Sequence, residues 1–272
     1  MISSEHMLPA TIVIPLLDQV DDWLVQCVRS ALDQSTPAEV IVVHSPRARP
    51  SNLELLADLA RQHDRLRVIE EPAGTGFPGA INFGFERATT DRVGLLLSDD
   101  WLDPRAVALC VAHDVDIVST AHTAYLADGC TELPEASARR QHRAFQKLPT
   151  LEAQASYLTH FFLFRRSKVL EVGGADESLG DFPGIDDFDL VWTLLERGAT
   201  VAIIETSLYN YRDHDGDRLT LRDREEAIRT MGRILEKHGL RGAAKARALE
   251  RHAPWYGRPV HVVEAERALA KR

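Results

Sequence analysis

Short apolar runs alternate with stretches of helical spacing through the first hundred residues of the chain. Residues 11–15 (TIVIP) are rich in β-branched side chains and close on Pro15, the pattern of a buried strand ending in a loop. Trp23, Leu24, Cys27, Val28, Ala31 and Leu32 then recur at three- and four-residue intervals, with Asp21 or Asp22 placed to cap the helix start. The plan repeats as strand 39–43 (EVIVV), helix 51–63, strand 66–70, helix 78–88 and strand 92–97 (RVGLLL). Strands alternating with helices predict a parallel sheet covered on both faces.

Beyond Pro104 the rhythm loosens. A helix near 104–112 and a strand near 115–119 fit the pattern, whereas 128–150 is polar, holds Pro134 and Pro149, and reads as an excursion or mobile loop. A strand at 160–165, a helix at 186–197, a strand at 200–205 and mixed-charge helices from 222 to 252 follow. With no repeat and no low-complexity linker, one α/β domain over residues 1–220 with a helical extension over 221–272 is the simplest organisation.

Composition narrows the classes. The 272 residues are 44% hydrophobic and 27% charged, as in an ordinary globular protein. The net charge of −9 is spread along the chain and no basic run could track a phosphate backbone, so nucleic acid is a poor partner. Cys27, Cys110 and Cys130 are an odd set at unrelated spacings, which fits free thiols in the cytoplasm. No window suits a signal peptide or a membrane span, leaving peripheral contact as the one route to a membrane. Arginine far outnumbers lysine, a coding bias of GC-rich bacterial sources that carries no chemistry.

Three segments hold candidate chemistry. In Leu97-Ser98-Asp99-Asp100-Trp101 a buried strand delivers adjacent carboxylates to its C-terminal end, where open α/β sheets bind ligands. The pair suits a hard cation, Mn²⁺ or Mg²⁺, gripping diphosphate oxygens, and equally suits capping a turn. Asp186-Asp187-Phe188-Asp189-Leu190 opens an amphipathic helix, where an ionised carboxylate is favoured and can act as a base or simply as a cap. Residues 209–220 form a polar stretch after a strand, in which Arg212 and Arg218 can neutralise phosphate and His214 can add a metal ligand or stay solvated. Gly74-Thr75-Gly76-Phe77-Pro78-Gly79 matches G-x-G-x-x-G, but it falls in the third βα unit, not the first that a dinucleotide fold requires.

Taken in order, these segments resemble the inverting family-2 glycosyltransferases of GT-A fold. Residues 11–15 resemble the opening strand, Ser30-Ala31-Leu32-Asp33-Gln34 the end of the first helix, and Gly79-Ala80-Ile81-Asn82-Phe83-Gly84 the family's A-R-N-x-G helix. Ser98-Asp99-Asp100 resembles its D-x-D metal motif, Gly173-Gly174-Ala175-Asp176-Glu177 its G-G-F-D-E turn, and Asp186–Leu190 its E-D-x-D-L element. The resemblance implies a nucleotide-sugar donor held by Pro15, His44, Ser45, Gly79, Asn82, Asp99, Arg212 and Arg218, with metal at Asp99, Asp100 and His214. It also implies that Asp187 is the base and that residues 1–104 and 105–220 are the nucleotide and acceptor halves. Neither the acceptor nor the oligomeric state follows from these motifs.

The chain departs from the pattern in three places. His44-Ser45-Pro46 replaces the Asp pair expected after the second strand, Ile81 replaces the Arg that approaches the diphosphate, and Leu97 takes the first acidic position of D-x-D. These changes admit a rival, a GT-A-fold protein that keeps a nucleotide or sugar site without turnover. A nucleotidylyltransferase would need a Gly-rich basic loop after the first strand, which Pro15-Leu16-Leu17-Asp18 does not supply.

Overall fold

The computed structural model describes residues 8–72, 75–180, 186–216, 218, 221 and 223–270. Gly74 of the glycine-rich turn, residues 182–185 before the acidic helix, and Asp217, Leu219 and Thr220 lie outside the described residues, as does the side chain of Asp186.

In chain order the elements are β1 (Thr11–Leu16), α1 (Asp21–Leu32), β2 (Glu39–His44), α2 (Pro50–Gln62), β3 (Leu66–Glu70), α3 (Gly76–Arg87), β4 (Arg92–Leu95) and β5 (Trp101–Leu102). Then come α4 (Ala106–Val111), β6 (Ile117–Leu126), α5 (His142–Phe145), α6 (Leu151–Tyr157), β7 (Phe162–Arg165), α7 (Arg166–Glu171), α8 (Asp186–Glu196) and β8 (Val201–Asp213). The chain finishes with α9 (Arg224–Lys237), α10 (Gly242–His252) and α11 (Val260–Ala270). The strands form one sheet in the order β3-β2-β1-β4-β7-β6-β8-β5. Strands β1 to β4 are parallel, β7 runs antiparallel to both neighbours, β6 and β8 are parallel, and β5 is antiparallel to β8. The expected mostly parallel sheet is present.

Period-two alternation feeds both faces of the sheet, as side chains of a covered strand must. Ile12, Ile14, Val40 and Val42 pack with Leu24, Val28 and Leu56 of α1 and α2, while Val13, Ile41 and Val43 pack with Ile81 and Phe85 of α3. The second cluster continues into α8 and α9 through Leu190, Trp192, Met231 and Ile234, so the C-terminal helices share a core with the sheet. Asp189 fixes that junction: its carboxylate accepts from Lys237 Nζ at 2.7 Å and pairs with His238 Nε2 at 3.0 Å.

Two strands run longer than the sequence pattern places them. The strand expected to end at 119 runs on to Leu126, and the one expected to end at 205 runs to Asp213. Strands β6 and β8 pair along this length despite two register shifts, so Tyr209–Asp213, read as polar loop, is largely buried sheet. The 128–150 excursion is pinned by antiparallel bridges from His122 to Ala138 and from Tyr125 to Glu132. No described helix is long and apolar enough to cross a membrane.

Candidate active site

Strand β1 is flanked by β2 on one side and β4 on the other, so the chain leaves it in opposite directions at this point of the sheet. A crevice opens outside the strand ends at such a switch. Here it is a cavity of about 790 Å³ bordered by Pro15, Asp99, His160, Asp187, His214 and Arg218.

The acidic turn after β4 is held from several directions. Ser30 Oγ accepts the Leu102 N–H at 3.0 Å, and the Gln34 side chain donates to Asp103 O at 2.9 Å and accepts from Val107 N at 2.9 Å. Cys27 Sγ donates to Leu97 O at 3.2 Å. These contacts give the Ser30-x-x-x-Gln34 motif a mechanical role: it grips the segment that carries Asp99 and Asp100.

The two adjacent carboxylates have different surroundings. Asp100 is 1% exposed, accepting from Tyr209 Oη at 2.6 Å and from Arg212 N at 2.7 Å. Burial and the neighbouring Asp99 charge push its carboxyl well above the usual range, against the pull of those two hydrogen bonds. Asp99 borders the cavity and lies 3.1 Å from His214 Nε2. His214 Nδ1 lies 3.1 Å from Gly216 N, which leaves Nε2 as the ring nitrogen that faces Asp99. The ring also packs against Trp23, with centroids 4.6 Å apart. Among the described residues no three His, Cys, Asp or Glu side chains converge as a metal cluster. Asp99 and His214 are nevertheless an oxygen and a nitrogen donor side by side at the cavity wall, an open set that suits a cation completed by phosphate and water. The two Asp100 oxygens, expected to hold metal, are instead occupied by Tyr209 and Arg212 within the scaffold.

Arg212 likewise serves the scaffold. It is 2% exposed, donates to Asp99 O at 2.9 Å and Ala127 O at 2.7 Å, and lies between Trp23 and Trp101, 4.8 Å from each ring centroid. Its guanidinium is therefore closed to the phosphate expected of it. Arg218 borders the cavity and donates to Asp213 Oδ1 at 2.7 Å. Burial works against its charge, but Tyr211, Asp99 and Asp213 hold its pKa raised.

Asp187, at the start of α8, borders the same cavity, and its Oδ2 lies 2.9 Å from His160 Nε2. His160 escaped the sequence reading because a lone histidine before a strand has no pattern. It stacks on Tyr209 at 5.3 Å, and Tyr209 in turn bonds Asp100.

Four other expected donor contacts are placed differently. Pro15 borders the cavity, but His44, Ser45, Gly79 and Asn82 do not. His44 Nδ1 faces Ser45 O at 3.1 Å, and the Ser45 hydroxyl accepts from Arg47 N at 3.2 Å. Asn82 joins two motifs: it donates to Ala175 O at 2.9 Å and Glu177 Oε1 at 3.0 Å, and accepts from Ala175 N at 2.8 Å. Gly79 lets α3 pass the Thr75 side chain, which a Cβ would meet at 2.2 Å. Ile81, where an arginine was expected, is a core residue at 1% exposure.

The fold agrees with comparisons to known proteins. The model of the glycosyl transferase family 2 matches residues 11–173. The chain belongs to that family. It is 27% identical over 206 residues, 75% of its length, to the O-antigen biosynthesis protein RfbC of Myxococcus xanthus, of which that match covers 16%. It is 31% identical over 107 residues, 39% of its length, to chondroitin synthase of Pasteurella multocida, covering 11% of that protein. The family-2 chain thus spans under a fifth of these two relatives. Among solved structures, S. aureus TarS 1-349 in complex with UDP-GlcNAc superposes with a TM-score of 0.63 at 15% identity, over 89% of this chain and 70% of that one. The mannosyltransferase PcManGT of Pyrobaculum calidifontis, in complex with GDP-Man and Mn²⁺, gives 0.62 at 18%, over 96% and 74%. Both support the GT-A fold of this family-2 chain.

Proposed function

We propose that the protein is a nucleotide-sugar-dependent glycosyltransferase that moves a sugar to an acceptor hydroxyl with inversion. The observation that carries this reading is that one cleft at the strand ends holds two separate polar pairs, Asp99 with His214 and Asp187 with His160. The first pair suits the donor diphosphate and the second suits the attacking hydroxyl.

In this reading Asp99 and His214 would hold Mn²⁺ or Mg²⁺, which when bound offsets charge on the leaving diphosphate. Asp187 takes the acceptor proton as its oxygen attacks the anomeric carbon from the face opposite the diphosphate. His160 orients the Asp187 carboxylate through its Nε2 contact. No protein acid is needed, because a diphosphate with its charge offset leaves without protonation. Asp100 and Arg212 keep the acidic turn in place from beneath. Free, buried Cys27 and Cys110 support a reducing compartment, the cytoplasm, for the reaction.

The test is nucleoside diphosphate release from a panel of UDP- and GDP-sugars with Mn²⁺, comparing wild type with Asp187→Asn. Release by wild type alone supports the transferase. Donor binding with no release from either protein, across donors and acceptors, would favour the rival sugar-nucleotide-binding protein.

A further inference from the structure

Arg140 borders the donor cleft but, unlike the other arginines there, makes no hydrogen bond or ion pair among the described residues. Arg49 pairs with Asp18, Arg218 with Asp213, and Arg267 with Glu264 at 3.4 Å. Arg140 Nε is buried without a hydrogen-bond partner. The guanidinium lies 4.9 Å from the centroid of the Tyr157 ring, whose hydroxyl accepts the Gln141 N–H at 2.9 Å. Burial lowers the Arg140 pKa from the ordinary guanidinium value. A stacked, partly dehydrated arginine with free N–H donors is costly to keep unless something binds it, and its planar fork matches an oxyanion.

Its position separates it from the metal side of the cleft. The segment carrying Arg140 is bridged to β6 at His122, and the Arg140 and His160 charges both help hold His122 neutral. Arg140 therefore stands on the side of His160 and Asp187. A second cavity, of about 930 Å³, meets the cleft there, sharing Leu158, Asp187 and Trp255 with it and lined also by Tyr157. An incoming acceptor that offers its hydroxyl to Asp187 would reach the guanidinium from this junction.

We infer that Arg140 on its Tyr157 platform is the binding point for an anionic group of the acceptor, a phosphate or a carboxylate carried beside the hydroxyl that is glycosylated. The inference rests on the donor cleft proposed above. Tyr157 fixes the plane of the fork, and the two N–H edges define where the oxyanion sits relative to Asp187.

The experiment is calorimetric titration of the full chain with glycerol 3-phosphate, glucuronate and neutral glucose, each after saturation with UDP or GDP and Mn²⁺. Wild type should bind at least one anionic probe in preference to glucose, the better of the two identifying phosphate or carboxylate. Arg140→Gln should weaken that binding about ten- to a hundredfold while leaving nucleotide affinity unchanged. Arg140→Lys, which keeps charge without the fork, should fall between and serves as the readout if Arg140→Gln does not fold. Equal binding of glucose, undiminished binding in both variants, binding only when the nucleotide is absent, or loss of nucleotide affinity in either variant would overturn the inference. Failure of every nucleotide to bind wild type would instead refute the donor cleft.

Discussion

His160 Nε2 lies 2.9 Å from Asp187 Oδ2, and the same imidazole stacks on Tyr209, whose hydroxyl bonds Asp100 at 2.6 Å. One continuous set of side chains thus connects the proposed base to the acidic turn beneath the proposed metal pair. A change at either end is felt through groups that cannot all relax independently.

Asp187→Asn keeps the carboxylate's shape but removes the proton acceptor. Turnover should fall about a hundredfold or more with donor affinity nearly intact, measured as product release against nucleotide titration. His160→Gln should lower kcat by a smaller factor, about tenfold, because it disturbs the orientation of the base and leaves the base itself in place. Near-normal transfer by Asp187→Asn would remove that residue from the chemistry.

Asp100 should behave as a stability residue. Asp100→Ala leaves the Arg212 N–H and the Tyr209 hydroxyl buried without their acceptor, a cost of about 2–4 kcal/mol that a denaturant midpoint would register. Asp100→Asn retains a carbonyl oxygen and relieves a buried charge, so it should cost clearly less. Equal losses in the two variants would contradict this role.

The order of motifs made the first four βα steps and the carboxylate-bearing strand end readable from sequence, because β1 to β4 are short apolar runs with clean boundaries. The sequence pattern ends β8 at 205 because Asn210, Arg212 and Asp213 look like loop residues. They are strand because Arg212 is enclosed by two tryptophans and Asp213 accepts from Arg218 and from the His261 N–H at 2.7 Å. Neither partnership is visible without long-range contacts. The same holds for Asp100, whose inward role depends on Tyr209 more than one hundred positions away in the chain, a separation of 109 residues. Asn82 and Gly174 were identified by their motifs, yet their contact with each other was not foreseeable.

That contact gives a stability prediction. Gly174 has φ +76°, and a Cβ there would lie 2.1 Å from Asn82 Oδ1. Gly174→Ala should therefore both strain the backbone and break the clamp on Ala175, costing on the order of 2–4 kcal/mol in denaturation. Gly173, also at positive φ (+85°) but with nothing near its Cβ position, should tolerate alanine better. A reversed ranking would show that the Asn82 clamp is unimportant.

Acid should destabilise the fold through His122. Burial, with the Arg140 and His160 charges, lowers its pKa from 6.5 to about 4, while its Nε2 faces Ala136 O at 3.2 Å. Between those values the unfolded chain binds the proton that the folded chain refuses, so stability falls as pH drops through this window. The slope contributed is at most about 1.4 kcal/mol per pH unit. Urea midpoints between pH 4 and 7 should decline less steeply in His122→Gln than in wild type, and parallel curves would exclude His122 as a source.

The central claim is that Asp99 and His214, rather than Asp100, form the protein's share of a cation site that grips the donor diphosphate. Titration of UDP and GDP into wild type and Asp99→Ala, with and without Mn²⁺, tests it most directly. Mn²⁺ should raise the affinity of wild type for at least one nucleotide by about tenfold or more, and Asp99→Ala should abolish that gain while staying folded. An Asp99→Ala protein that keeps the full Mn²⁺-dependent gain, or a wild type whose nucleotide affinity ignores the cation, would contradict the account.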